Sequence, residues 1–270
     1  MRLIDLFLFV LPSVLLHGST SAAVDKSTVL VCYGKLDPAL IKGYHYVILE
    51  SQHYNIYEIR KIKSQNEKVL AYISLGEVNA NAPHFAQLKA STLGKNDIWD
   101  SYYLDLKQPQ TSKTLLSIMQ NTLALGYDGF FLDNIDNYTS FGTQPQQKAE
   151  LIDLLKLIRT SFPDKVMLQN AGLELVPETA ALVNAVIIES IATNYTFNDK
   201  KYKLREEADF QNYVTKLNNV SQHYNLPVIL IEYADTAELR DAVRKRIKNL
   251  GFEYFIGQID LQELPKFSEK

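Results

Sequence analysis

Residues 126–138 read Gly-Tyr-Asp-Gly-Phe-Phe-Leu-Asp-Asn-Ile-Asp-Asn-Tyr, a turn and an apolar run that lead directly into polar residues. The apolar run does not alternate with polar positions, which is typical of a parallel strand buried on both faces. Acids at the end of such a strand are costly to remove from water, so other groups must compensate for them. We therefore predict a buried strand at Gly129–Asn134 with functional side chains at its carboxyl end.

Similar apolar runs recur along the chain and are separated by segments with helical spacing of their apolar residues. The full set of predicted strands is Val29–Gly34, Tyr46–Ser51, Val69–Gly76, Gly129–Asn134, Val166–Asn170, Ala185–Glu189, Val228–Tyr233 and Tyr254–Ile259. Eight strand–helix units in a chain of this length predict an α/β fold, a single (β/α)8 TIM barrel, which typically needs ~250 residues.

The main alternative fold is a doubly wound open sheet, which usually carries a glycine-rich dinucleotide loop after its first strand. Here the first strand is followed by Gly34-Lys35-Leu36-Asp37, without that motif. Two connections fit the barrel less well. The first predicted helix, Pro38–Lys42, is very short, and the connection from residue 77 to 127 is long and includes an extra apolar segment, Tyr102–Leu106.

The amino-terminal segment Met1–Ala23 has the features of a secretory signal peptide, with a positive start, a short apolar run and small residues before the cleavage point. We therefore predict an exported, periplasmic or extracellular protein whose barrel domain covers residues 24–270, with no membrane insertion after cleavage. Cys32 is the only cysteine, so the domain has no internal disulfide. The chain carries 28 basic and 31 acidic residues, which argues against nucleic-acid binding, and we expect a monomer.

In a (β/α)8 barrel the active site lies at the carboxyl ends of the strands, so the polar residues there are the candidates. These residues are carboxylates, amides and tyrosines, with no lysine for a Schiff base and no histidine cluster for a metal. The candidates are Tyr33, Glu50, Glu77, Asp133, Asn134, Asp136, Asn170, Glu189, Glu232 and Tyr233.

Paired carboxyl groups are what glycosidic bond cleavage needs, because one protonates the leaving oxygen while the other attacks the sugar or activates water. Asp133 is in line to point into the barrel mouth. Glu189 follows three aliphatic residues, so burial could raise its pKa as a general acid requires. Glu232 has the same local pattern and competes for that role, and Asp136 could equally be the N-cap of a helix.

The motifs Val69-Leu70-Ala71-Tyr72-Ile73-Ser74-Leu75-Gly76-Glu77 and residues 126–136 resemble glycoside hydrolase family 114. Its members are endo-α-1,4-polygalactosaminidase-like (β/α)8 barrels, and the hydrolase domain of bacterial Pel polysaccharide-processing proteins is similar. The resemblance covers about Val29 to Ile259. It implies a catalytic pair of Asp133 and Glu189, acting as nucleophile and acid/base.

The resemblance implies a galactosamine or N-acetylgalactosamine polysaccharide as substrate, bound by the remaining strand-end candidates. An acidic cleft suits a polymer that is partly cationic. No metal or organic cofactor is implied, because carboxyl groups and water suffice. Two alternatives remain: a non-catalytic exported carbohydrate-binding barrel, or a glycosidase for another α-glycan.

Overall fold

The computed structural model describes residues 27–269 of the 270-residue chain. The predicted signal segment, Met1–Ala23, lies outside the described residues. No helix within residues 27–269 is both long enough and apolar enough to cross a membrane.

Eight parallel strands form the central barrel, which confirms the predicted fold. In spatial order they are β1 (Val29–Cys32), β2 (Tyr46–Leu49), β3 (Lys68–Ser74), β7 (Gly129–Asp133), β8 (Val166–Asn170), β9 (Ala185–Glu189), β12 (Val228–Tyr233) and β13 (Glu253–Gly257). The bounds of β8, β9 and β12 are those predicted from the sequence, whereas β1, β2, β3, β7 and β13 end one or two residues earlier.

The barrel closes between its first and last strands through individual bonds rather than a continuous ladder. The Tyr33 amide donates to the Leu261 carbonyl at 2.7 Å, and Thr28 Oγ1 donates to the Glu253 carboxylate at 2.7 Å. A Cβ atom on Gly34 would lie 2.0 Å from the Gln262 carbonyl oxygen, so no side chain fits at this seam. Glycine is therefore required where the chain leaves β1.

The helices are α1 (Ile56–Lys63), α2 (Phe85–Leu88), α3 (Pro109–Ala124), α4 (Lys148–Ser161), α5 (Val176–Thr179), α6 (Glu207–Tyr224) and α7 (Ala237–Ile247). The longer helices bury an apolar face, whereas the short α2 lies in the insertion between β3 and β7, where it contacts α3 and the strand Glu77–Asn79. In α1, Asn55 and Glu58 form a reciprocal capping box, and Ile59 and Ile62 are buried. Such caps stabilise a helix by about 1 kcal/mol.

The prediction of a helix at Pro38–Lys42 is wrong. The segment forms a turn, in which the Leu40 amide donates to the Asp37 carbonyl at 2.9 Å. Side chains from the following unit replace a helical ladder, because Gln65 Nε2 donates to the Pro38 carbonyl and Asn66 Nδ2 donates to the Ile41 carbonyl. Five residues before the second strand are too few to build a packed helix.

Two small antiparallel sheets extend from the carboxyl edge of the barrel. The first consists of β4 (Glu77–Asn79), β5 (Thr92–Asn96) and β6 (Ser101–Leu104), with β6 in the middle. The second is a hairpin of β10 (Thr193–Thr196) and β11 (Lys201–Leu204). The predicted apolar segment at Tyr102–Leu106 overlaps β6, whereas the β10–β11 hairpin was not predicted from the sequence.

Candidate active site

Three neighbouring barrel strands end on the polar residues that form the centre of the site: Asp133 on β7, Asn170 on β8 and Glu189 on β9. The residue after each of them has a left-handed backbone, with φ near 60°. These three residues are Asn134 (φ 59°), Ala171 (φ 60°) and Ser190 (φ 57°). A left-handed residue ends a strand abruptly, at a cost of roughly 1–2 kcal/mol for a residue other than glycine. The chain therefore turns away immediately after each polar side chain has been placed.

The side-chain amide of Asn170 joins the two candidate catalytic carboxylates. Its Nδ2 atom donates to Asp133 Oδ1 at 2.8 Å and to Glu189 Oε1 at 2.7 Å. Because one nitrogen contacts both, these two oxygens lie at most about 5.5 Å apart. With the two N–H bonds at about 120° to each other, the separation is about 4.8 Å.

Each carboxylate also accepts a hydrogen bond from a tyrosine. Tyr72 donates to Asp133 Oδ2 at 2.8 Å, and Tyr233 donates to Glu189 Oε2. The ring of Tyr33 packs against that of Tyr72, with 4.8 Å between their centroids. Tyr72 is absent from the sequence-based candidates because it lies two residues before the end of β3, within an apolar run.

Burial and mutual repulsion change the acidity of the pair. Burial raises the pKa of Asp133, while hydrogen bonds from Asn170, the Asn134 amide and Tyr72 favour its ionised form and oppose that rise. Burial also raises the pKa of Glu189 and the negative charge of Asp133 raises it further, while hydrogen bonds from Tyr233 and Asn170 oppose that rise. Ionisation of Asp133 therefore disfavours ionisation of Glu189 beside it.

The rim of the site carries two further acids, Glu50 and Asp136. Glu50 follows β2 and is half-buried, and burial raises its pKa to about 7. Asp136 is exposed in the short helical turn after β7, where desolvation by its surroundings and the charge of Asp133 both raise its pKa. Within residues 27–269 no lysine, arginine or histidine forms an ion pair with these acids or with the central pair.

The structure corrects the expectation that Glu77 contacts substrate. Its side chain is 6% exposed and accepts hydrogen bonds from Asn96 Nδ2 at 3.2 Å, from Asn137 Nδ2 at 3.0 Å and from the Ser101 hydroxyl. These donors belong to β5, to the turn after β7 and to β6. Glu77 therefore fastens the three-stranded sheet to the barrel and has no free oxygen for a sugar.

Glu232 is corrected in the same way. Its side chain has no exposed surface, although burial raises its pKa to about 7 as the sequence led us to expect of a general acid. It accepts hydrogen bonds from the amides of Ile191, Ala192 and Thr193 at 2.9–3.0 Å and from the Thr193 hydroxyl at 2.6 Å. Glu232 therefore holds the segment between β9 and β10 and does not compete with Glu189.

The other expected sugar contacts divide by exposure. Asn170 is 5% exposed and Tyr233 is 2% exposed, and both donate hydrogen bonds to the carboxylate pair. Tyr33 and Asn134 are half-buried at the mouth, and Asn134 is held by the Ser74 hydroxyl at 2.6 Å. Among the described residues no cluster of histidine, cysteine and acidic side chains could hold a metal ion.

A carboxylate pair at the carboxyl end of a (β/α)8 barrel is the arrangement found in glycoside hydrolases. The sequence profile of glycoside-hydrolase family GH114 matches residues 31–269. The chain belongs to this family and is a glycoside hydrolase, as its resemblance in two sequence motifs predicts.

Three known proteins place the chain among its relatives. The glycoside hydrolase domain of PelA from Pseudomonas aeruginosa is 25% identical and superposes with a TM-score of 0.77, covering 89% of this chain and 98% of that domain. Ega3 from Aspergillus fumigatus, in complex with galactosamine, is 16% identical with a TM-score of 0.70, covering 92% and 99%. An uncharacterized protein of Deinococcus radiodurans is 24% identical over 216 residues, which is 74% of this chain and 67% of that protein.

Proposed function

We propose that the protein is an exported, endo-acting hydrolase of α-1,4-linked galactosamine or N-acetylgalactosamine polysaccharide. The family membership supports hydrolysis of a glycan, and the galactosamine complex of Ega3 supports the sugar. The segment Met1–Ala23 is proposed to direct export, leaving a barrel domain at residues 24–270. The observation that carries the proposal is the Asn170 amide that joins Asp133 to Glu189.

In the proposed reaction, Asp133 is the nucleophile and Glu189 is the acid/base. An oxygen of Asp133 forms a bond to the anomeric carbon as the glycosidic bond breaks, and Glu189 gives its proton to the leaving oxygen. Glu189 then removes a proton from water, the water oxygen bonds to the anomeric carbon, and the bond to Asp133 breaks. The pair therefore begins with one proton, on Glu189, holds none in the covalent intermediate and regains one from water in the second half.

The charge interaction within the pair supports this division of roles. Asp133 receives donors from Asn170 and Tyr72, which stabilise the negative charge that a nucleophile needs. Glu189 also accepts hydrogen bonds, from Asn170 and Tyr233, but the charge of Asp133 beside it disfavours its ionisation. Tyr233 fixes the orientation of the Glu189 carboxyl group.

The short separation of the two carboxyl groups supports a retaining mechanism. Retaining glycosidases hold their carboxyl groups about 5–5.5 Å apart, whereas inverting enzymes leave about 6.5–9.5 Å for a water molecule. The facing oxygens of Asp133 and Glu189, which both accept from Asn170 Nδ2, are at most about 5.5 Å apart, and this short distance favours the retaining arrangement.

The uncompensated acids at the mouth support an amino sugar as the substrate. Glu50 and Asp136 lie on the rim without a cationic partner among the described residues, so a protonated sugar amine would supply the missing charge. Tyr33 and Asn134, which are half-buried beside them, are proposed to contact sugar hydroxyl groups or the ring face.

A reducing-end assay on partly deacetylated galactosaminoglycan tests the proposal. The wild-type protein is expected to release oligosaccharides of several lengths, and nuclear magnetic resonance is expected to show the α-anomer as first product. Asp133→Asn and Glu189→Gln are each expected to lower kcat by at least about 100-fold. Glu178→Gln, an exposed acid 3.0 Å from Lys148 on the outer surface, is the matched control and is expected to keep full activity.

Full activity in Asp133→Asn, or a β-anomer as first product, would overturn the assigned mechanism. Cleavage of a neutral α-glycan but not of galactosaminoglycan would refute the proposed substrate and would still agree with glycosidase activity.

A further inference from the structure

The two accessory sheets meet at their tips through aromatic side chains. Trp99, in the loop between β5 and β6, packs edge to face against Phe197, in the loop between β10 and β11, with 5.4 Å between their centroids. The first sheet begins three residues after β3 ends, and the hairpin begins four residues after Glu189. In the barrel β3 and β9 are separated by β7 and β8, so this contact bridges the mouth on the side that carries Asp133 and Asn170.

The hairpin continues the line of rings beyond the bridge. Tyr195, in β10, lies two residues before Phe197 and packs against it at 5.0 Å between centroids. Tyr202 is the cross-strand partner of Tyr195 and packs against it at 4.7 Å. Trp99, Phe197, Tyr195 and Tyr202 thus form one continuous aromatic row. Its far end is fixed because the Ile259 amide, after β13, donates to the Tyr202 hydroxyl at 3.2 Å.

The aromatic row is exposed in a way that folding does not require. Trp99 is 53% exposed and Phe197 is 50% exposed, and both tyrosines are partly exposed. Core aromatics of the same chain, such as Tyr127 and Phe130, have 1% and 0% of their surface exposed. Half-exposed rings in contact with one another present broad apolar faces to solvent, which is the form of surface that marks a binding site.

The aromatic row is also held rigidly relative to the catalytic pair. Asn79 Nδ2 donates to the Trp99 carbonyl at 3.3 Å, and the buried Glu77 ties the same sheet to the turn after β7. On the other side, Glu232 binds three successive amides that connect Glu189 to the hairpin. The two buried carboxylates that lack a part in the chemistry therefore set the position of the rings.

We propose that the aromatic row is a second glycan-binding subsite, which takes pyranose rings of the polysaccharide several units away from the bond that is cleaved. The apolar C–H face of a pyranose ring stacks on an aromatic face, and a protonated amine on the same sugar gains a cation–π contact, for which tryptophan is the best partner. The occupant is the polymer itself, because the row lies at the mouth that contains the carboxylate pair. This inference rests on the proposed function for the identity of the sugar.

Trp99 is the only tryptophan in the chain, so its fluorescence reports directly on the row. The experiment titrates the Glu189→Gln variant with galactosamine monosaccharide, with α-1,4-linked oligosaccharides of increasing length, and with partly deacetylated galactosaminoglycan. A saturable change in Trp99 emission is expected with the polymer and the longer oligosaccharides, and none with the monosaccharide. Phe197→Ala in the same background is expected to weaken the polymer's affinity about five- to tenfold.

Kinetics of the active enzyme give a second measurement. Trp99→Ala is expected to raise the KM for polymer about five- to tenfold, with kcat and the kcat/KM of the shortest cleaved oligosaccharide unchanged within twofold. Tyr57→Ala removes a ring that is 75% exposed on α1, on the outside of the barrel, and is the matched control with an unchanged KM.

The outcomes separate this inference from the proposed function. Polymer cleavage with neither a Trp99 emission change nor a raised KM in Trp99→Ala would overturn the subsite alone. An emission change with polymer that is never cleaved would support the subsite and overturn the proposed activity. Absence of both binding and cleavage would overturn the two together.

Discussion

Replacing Asn170 with alanine removes the single amide that separates the two central carboxylates. With their facing oxygens about 4.8 Å apart, two full charges repel by about 3.5 kcal/mol at an effective dielectric constant near 20. Each hydrogen bond from Nδ2 to a charged oxygen is worth roughly 1.5–3 kcal/mol, or about 1–2 pKa units. Loss of a donor that favours the ionised form raises a carboxyl pKa, so the apparent pKa values of both Asp133 and Glu189 rise in the variant.

The pH dependence of kcat/KM measures this change directly. The acidic limb reports ionisation of Asp133 and the basic limb reports loss of the proton from Glu189, so both limbs are expected to move to higher pH by about 1–2 units in Asn170→Ala. The maximal rate is expected to fall about 100-fold, because the carboxylates lose their fixed separation. Limbs that stay in place, or that move to lower pH, would refute the assigned role of Asn170.

Gln169→Ala is the matched control for this experiment. Gln169 is the adjacent buried amide on the same strand, but it donates to the carbonyls of Ala171 and Gly172 at 3.0 and 3.2 Å. Its loss is expected to lower stability and to leave both limbs of the pH profile where they are.

Three further predictions concern stability and backbone space. Burial raises the pKa of Glu50 from 4.5 to about 7, so its stabilising effect is present below pH 4.5 and is lost as pH rises through 7. We therefore expect the free energy of unfolding of Glu50→Gln, measured relative to wild type by thermal unfolding, to be up to about 3 kcal/mol higher at pH 8 than at pH 4. The same difference between variant and wild type at both pH values would contradict this. In Glu232→Gln, backbone amide donors that bind the Glu232 carboxylate face the nitrogen of an amide instead. We expect the free energy of unfolding in denaturant titrations to fall by about 2–4 kcal/mol, whereas Glu178→Gln changes it by less than about 0.5 kcal/mol. Gly76→Ala would bring a Cβ within 2.8 Å of the Asn134 carbonyl oxygen beside Asp133, so we expect at least about tenfold lower kcat; an unchanged kcat would show that this turn can move freely.

The barrel was predictable because its strands are buried on both faces and therefore appear as uninterrupted apolar runs. β12 could be bounded correctly because Pro227 marks its start and the apolar run stops at Glu232-Tyr233. The β10–β11 hairpin escaped prediction because its strands are half-exposed and mix threonine and lysine with aromatics, so its signal was weaker than that of a core strand. The helix predicted at Pro38–Lys42 was wrong for the opposite reason. The alternation of strands and helices along the chain led us to expect a helix there, but the connection is too short to form one.

The site was predictable only as far as local sequence reveals it. Asp133 and Glu189 were found because each ends an apolar strand, but Glu232 has the same local pattern and a wholly different role. What separates Glu189 from Glu232 is the set of partners, and those lie 39–41 positions away from Glu232 along the chain. Tyr72 was missed because a tyrosine within an apolar run looks like a core residue, and only the fold brings its hydroxyl within hydrogen-bond distance of Asp133.

The left-handed residues that follow Asp133, Asn170 and Glu189 make the positions of these three side chains independent of the loops that come after them. Each one ends its strand within a single residue, so the direction of the side chain before it is set by the barrel and not by whatever follows. The loop after Glu189 can therefore grow into a hairpin while the carboxylate stays in place. The same property makes these junctions natural positions for exchanging loops between related barrels, so that glycan specificity could be transferred while the reacting groups keep their separation.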